Sequence, residues 1–166
     1  MDTIKLVGIM SDSHDNMPAI RAAVELFNDK KVDLVIHAGD LVSPFTAREI
    51  KKLNCPYKII LGNNDGEILG LYRVYEGNIF QPPYQLKIND RKVLVLHDPI
   101  LMNTLKQIKS FDLIIYGHDH LASITESPAG QLIVNPGECG GWLNGKSTVS
   151  IWNVVTGEVD LFDLQF

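Results

Sequence analysis

Cysteine is scarce: Cys55 and Cys139 are the only two in 166 residues. So few thiols give no disulfide framework and no thiolate spacing for a structural zinc site, and they suit a reducing compartment. An excess of positive charge is also missing. Twenty acidic residues stand against fifteen basic ones, a formal net charge of −5, which argues against a protein held to nucleic acid by bulk electrostatics. A phosphate substrate stays compatible, because bound cations reverse the local potential of an acidic site. Apolar runs reach only strand length, far short of a membrane span. Met1 to Lys5 carries charge on both sides of a short apolar run and does not read as a secretory signal. Internal repeats, linkers and low-complexity tracts are absent as well. What is left is 45% hydrophobic and long enough for one well-filled core. A single domain over residues 1–166, cytoplasmic, is the expectation.

The apolar runs carry the architecture. Ile4 to Met10, Asp33 to His37, Tyr57 to Leu61 and Asp112 to Tyr116 read as buried strands. A helix is predicted from about Pro18, capped by Asp15 or Asn16, with Ile20, Ala23, Val24 and Phe27 on one face. Ser43-Pro44 repeats the cap-then-proline signal, which predicts a second helix to about Leu53. Glu67 to Tyr75 is a short helix and Pro99 to about Ser110 another, its face formed by Leu101, Leu105 and Ile108. Tyr84–Ile88 with Lys92–Leu96, and Ala122–Glu126 with Gln131–Val134, read as hairpins; Ser147–Asn153 and Val159–Leu164 close the chain as strands. Strand, polar turn and helix alternate at first, which argues a parallel βαβ arrangement. The later strands exceed what one doubly wound sheet needs. Two stacked sheets with helices outside would bury them all.

Polar clusters follow five of these strands: Asp12 and His14, Asp40, Asn63, His97, and His118 with His120. Ligands bind at that edge of an open α/β sheet, because loops from separated strands converge there. Taken singly the residues are ordinary. Asp12 and Asp40 read as helix caps, His97 and His118 as core histidines, and Asn63 beside Gly62 as a turn residue. Together they make a mixed oxygen and nitrogen site suited to Mn, Fe, Zn, Co or Ni. Seven donors exceed the capacity of one ion, which points to two divalent ions sharing a carboxylate. Gly117, before His118, reads as a residue that frees the chain to turn.

Asp12-x-His14, Gly39-Asp40, Gly62-Asn63-Asn64-Asp65, His97 and Gly117-His118-Asp119-His120 resemble, in order, the five-block signature of the calcineurin-like metallophosphoesterases. Val134-Asn135-Pro136-Gly137 is similar to the small prokaryotic phosphodiesterase branch, to which the retromer subunit of this fold is related. The resemblance implies a four-layer αββα sandwich of two mixed sheets flanked by helices. It also implies that Asp12, His14 and His120 hold one metal, Asn63, His97 and His118 the other, and that Asp40 bridges them. Phosphodiester hydrolysis by a metal-bridging hydroxide would follow, since paired ions lower the pKa of water and offset charge on phosphate.

Three departures from that pattern matter. Many active relatives have histidine after the metal-binding asparagine, on the leaving-group side; here Asn64 stands there, able to donate a hydrogen bond but not to serve as a useful acid. No arginine follows Asp40, which disfavours a protein phosphatase. Asp98 follows His97 where the family commonly has glycine, which implies either a different local backbone or an extra acid near the second metal.

His37 reads as a structural or metal-orienting residue, and Asp15, Asp65 and Asp119 as solvated or capping. Cys139 reads as a buried thiol; Trp142 and Phe45 read as core or interface residues. The expected partner is a small phosphodiester, with no stable nucleic-acid binding and no membrane. An exposed apolar helix or edge strand would support a homodimer. The competing class is a non-catalytic protein-binding module on the same fold, which would have no need of His14, Asp40, Asn63, His97, His118 and His120.

Overall fold

The computed structural model describes residues 3–166, so the reading of Met1 to Lys5 lies partly outside it. Strand β1 (Leu6–Met10) is buried almost throughout and opens a six-stranded sheet. Helix α1 (Met17–Lys30) follows, with the Asn16 side chain accepting from the Ala19 N–H and a proline in the first turn. Its buried residues, Ala19, Ile20, Ala23, Val24 and Phe27, are the ones the periodicity picks out, plus one small neighbour. Gly8 in β1 leaves room for the Phe27 ring, which a Cβ there would overlap.

β2 (Leu34–His37), β3 (Tyr57–Ile60) and β4 (Ile79–Phe80) pair in parallel beyond β1. Sequence reasoning missed β4, which at two residues is too short for a period to register. α3 (Ile68–Tyr75) lies close to its predicted span. The helix after Ser43 is shorter than predicted: a 3-10 turn over Pro44–Thr46 runs into a single α turn, α2 (Ala47–Ile50). Ser43 makes no side-chain cap there, because its hydroxyl donates to Asp15 instead.

The second sheet has five strands in the order β5-β6-β7-β9-β8. They are β5 (Tyr84–Ile88), β6 (Arg91–Val95), β7 (Leu113–Ile115), β8 (Ser123–Glu126) and β9 (Leu132–Asn135). Both predicted hairpins are present as antiparallel pairs, while β6, β7 and β9 run parallel. β10 (Thr148–Asn153) and β11 (Val159–Asp163) return to the first sheet, β10 antiparallel to β1. Both sheets are mixed.

Apolar side chains between the sheets, among them Val7, Ile9, Ile36, Val95, Ile115 and Val134, form one core. A second core lies under α1, α2 and α3 on the outer face of the first sheet. The outer layer on the second sheet is thin: a 3-10 turn over Pro99–Leu101 and one α turn, α4 (Met102–Leu105). The predicted helix to Ser110 is not formed, and its expected face fails, since Leu101 and Ile108 are exposed and Met102 is the residue buried. Asn103, Thr104 and Ser110 give that stretch little intrinsic helicity, and too few apolar groups reach the sheet to compensate.

Candidate metal centre

Each predicted ligand lies just beyond a strand of one of the two sheets, at their common C-terminal edge. The backbone there is unusual. Asp12, His14, Asp40, His118 and His120 all have positive φ, between 42 and 76°, and Val42 reaches 86°. Left-handed backbone is uncommon for residues with a Cβ, and it clusters where packing holds side chains for function. Gly117 is not among the positive-φ glycines. Close approach is what requires it: a Cβ would collide with the Ser11 and Asp12 side chains. A Cβ on Gly62 would likewise strike Asp40.

The seven residues meet in a chain of contacts. His14 Nε2 lies 3.8 Å from Asp12 Oδ1 and 3.6 Å from Asp40 Oδ2. His97 Nε2 is 3.3 Å from Asp40 Oδ2 and 2.9 Å from Asn63 Oδ1, which also lies 2.9 Å from His118 Nδ1. His120 Nε2 stands 3.5 Å from Asp12 Oδ1, and the His118 N–H donates to both Asp12 oxygens. Donors about 2.1 Å from a common ion are separated by roughly 3–3.5 Å, so these spacings suit metal. His14 Nε2 is what a metal would pair: it is buried, sits between two carboxylates, and has no hydrogen-bond partner among the described residues. Two groups, Asp12–His14–His120 and Asp12–Asp40–His97, could each hold an ion.

Electrostatics matches the geometry. Burial raises Asp40, but hydrogen bonds from His97 and Asn64 outweigh it and hold the carboxyl well below its usual range. Asp12 goes the other way, raised chiefly by burial. Burial disfavours the charged His97 ring, yet its bond to Asp40 more than compensates and raises its pKa. His97 Nδ1–H donates to the Ala38 carbonyl at 2.8 Å, which turns Nε2 toward the site. His37 is fully enclosed, and burial lowers it to about 3. It is therefore neutral, its Nδ1 accepting from the Gly39 N–H and its Nε2 donating to Ser13 Oγ.

Supporting residues surround the seven, some as expected and some not. Asp65 is buried, not solvated, and accepts from the N–H groups of Asp40, Val42 and Gly62, tying two site loops together. Asp15 does the same for Ser43, while Asp119 accepts from Asn135 and from the Leu121 N–H. Glu138 is buried with Oε1 3.2 Å from His120 Nδ1, close but without hydrogen-bond geometry; its carboxylate accepts from the Trp142 and Leu143 N–H groups. The Gly-Glu-Cys run after Asn135-Pro136 was its only trace. Asn64 is exposed, yet it reaches back to the bridge candidate. Its N–H and its side-chain amide hold the two oxygens of Asp40, at 2.8 and 2.7 Å. Asp98 is exposed and caps the following turn through the Ile100 N–H. Cys139 is buried, and burial pushes its thiol up. Trp142 and Phe45 are not core residues, being 63% and 46% exposed.

Two mixed sheets carrying carboxylate, imidazole and amide donors at one edge have the architecture of a metallohydrolase. The profile of the calcineurin-like phosphoesterase superfamily domain matches residues 6–157, and the chain belongs to that superfamily. A phosphodiesterase of Methanocaldococcus jannaschii is 41% identical over 151 residues, covering 87% of this chain and 90% of that protein. The solved structure of an archaeal phosphodiesterase superposes with a TM-score of 0.88 at 37% identity, covering 96% of this chain and 99% of that one. Vacuolar protein sorting 29 from Cryptosporidium parvum shares the fold, with a TM-score of 0.67 at 18% identity over 99% of each chain.

Proposed function

We propose that the protein is a metal-dependent phosphodiesterase acting through two divalent ions, Mn, Ni, Fe, Zn or Co. Asp12, His14 and His120 would hold one ion, Asn63, His97 and His118 the other, and Asp40 would serve both. The observation that carries this reading is the continuous run of donors from Asp12 to His118, with His14 Nε2 buried and unpaired within it. Such ions, when bound, make water nucleophilic at neutral pH and offset charge on phosphate oxygens.

The chain's own residues set the geometry. Asn64 clamps both oxygens of Asp40, so that carboxylate is oriented before any ligand arrives. Asn64 is thus a positioning residue in this reading, in addition to its place on the leaving-group side. The Ala38 carbonyl orients His97, and Glu138 stands against His120. No side chain of ordinary acid strength replaces the family's histidine at position 64, so esters with poor leaving groups should react slowly. The inter-sheet core supports one domain, and the two free cysteines support a reducing, cytoplasmic setting. No described helix is long and apolar enough to cross a membrane. A homodimer would fit the exposed apolar residues Ile68 and Leu69 on α3.

The test is hydrolysis of a diester and a monoester by the metal-reconstituted protein, over leaving groups of graded pKa. The diester should be preferred, with rates falling steeply as the leaving group becomes more basic. Asp40→Asn and His97→Ala should each lose at least about a thousandfold, equivalent to roughly 4 kcal/mol. A folded, metal-loaded protein that hydrolyses neither ester would replace this reading with the binding module.

A further inference from the structure

Trp142 is a large aromatic residue that the fold holds fixed and leaves in solvent. The loop from Glu138 to Gly145 lies along the first ligand loop, with the Cys139 N–H donating to the Ser11 carbonyl and the Gly140 N–H to that of Asp12, both at 2.9 Å. Asn16 donates to the Gly140 carbonyl at 2.6 Å, and Asn144 to that of His120 at 3.3 Å. Trp142 is tied at two points. Its backbone N–H donates to Glu138 Oε1 at 2.8 Å, and its indole Nε1–H donates to the carbonyl of His14 at 3.1 Å. The carboxylate that holds its backbone also stands against His120.

The polar edge of the indole is therefore occupied by the backbone of a proposed metal ligand, Gly140 lies close to Cδ1, and most of the residue is in solvent. Exposed neighbours, Leu143 and Leu121, extend the apolar surface beside His120. A tryptophan serving the core would be buried. A fixed ring offers a flat binding face with little conformational entropy left to lose. Because the indole is bonded to the His14 carbonyl, the ring stands at the rim of the proposed metal site.

Resting on the phosphodiesterase reading, we infer that Trp142 is a specificity-determining residue on which a planar aromatic ester group of the substrate stacks. Such groups include aryl and nucleobase-bearing esters, since every base presents a π-face.

Calorimetric titration of the metal-loaded protein with phenyl phosphate and methyl phosphate tests this without turnover. Phenyl phosphate should bind more tightly. That preference should fall by about tenfold in Trp142→Ala and Trp142→Leu and survive in Trp142→Phe, which keeps a stacking face. Turnover of p-nitrophenyl phenyl phosphate against p-nitrophenyl methyl phosphate, which share a leaving group, should show the same change in the ratio of kcat/KM. Equal binding of the two phosphates by the wild type, binding of neither, or a preference unchanged in Trp142→Ala overturns the inference. A phenyl preference that depends on Trp142, with neither diester hydrolysed, overturns the catalytic reading and leaves this one standing.

Discussion

Around Asp12, His14 and His120 the chain is pinned from behind, whereas around Asn63 and His118 it lies open. In the pinned half Asp12 is completely buried, Glu138 backs His120, and the 138–145 loop is bonded to the ligand loop along its length. In the open half Asn63 and His118 are exposed, and only His97 is enclosed. Asp40 stands between them, held by Asn64 and by the loop that Asp65 anchors. Preorganised donors lose less freedom on binding an ion, and buried ones face less competition from water. The pinned half should bind its ion first and more tightly; the open half should fill later and exchange faster.

That contrast can be broken one side at a time. Glu138→Gln should weaken the tight site by about 10- to 100-fold, while leaving the weak one bound chiefly through Asn63, His97 and His118. Metal titration followed by calorimetry reads both events. Equal weakening of the two would show that the halves are not separately built.

Asp65→Ala strikes beneath Asp40, the proposed bridge, and should disturb both. It leaves the N–H groups of Asp40, Val42 and Gly62 without their acceptor, a loss of about 3 kcal/mol of stability. Denaturant unfolding of the metal-free protein measures it, and a loss below about 1 kcal/mol would show that these bonds are replaced.

A pH-dependent effect is expected at His37, behind the pinned half. Its pKa is about 3 in the fold against an ordinary 6.5, because burial disfavours the charged ring. Between those values the unfolded chain binds a proton that the folded chain does not. His37 therefore contributes fully above pH 6.5 and loses its contribution as pH falls, by up to about 1.4 kcal/mol per pH unit. His37→Gln should flatten stability between pH 6 and about 4 relative to wild type. An unchanged slope would mean that the ring is protonated in the fold.

What sequence reasoning could reach follows from what leaves a local mark. Strands and α1 declare themselves through runs and periods, so the seven donors could be placed at strand ends. Their grouping was readable for the same reason, since strand order brings those ends to one edge. α4 was overcalled because Leu101, Leu105 and Ile108 carry a helical period, but the sheet beneath has room for little more than Met102 and Leu105. Gly117 was assigned to turning when its reason is the nearness of Ser11 and Asp12, residues more than a hundred positions away. Glu138, Asp65 and Trp142 act through contacts equally remote or through backbone N–H groups, and neither leaves a periodic trace. The left-handed φ of five of the proposed ligands is likewise invisible, because nothing in the neighbouring sequence requires it.

Anomalous diffraction from crystals soaked in graded manganese tests the central claim most directly. At low concentration one peak should stand among Asp12, His14, Asp40 and His120. At higher concentration a second should join it among Asp40, Asn63, His97 and His118, about 3.5–4 Å from the first. A single peak at every concentration, or a first peak on the Asn63 side, would contradict the account.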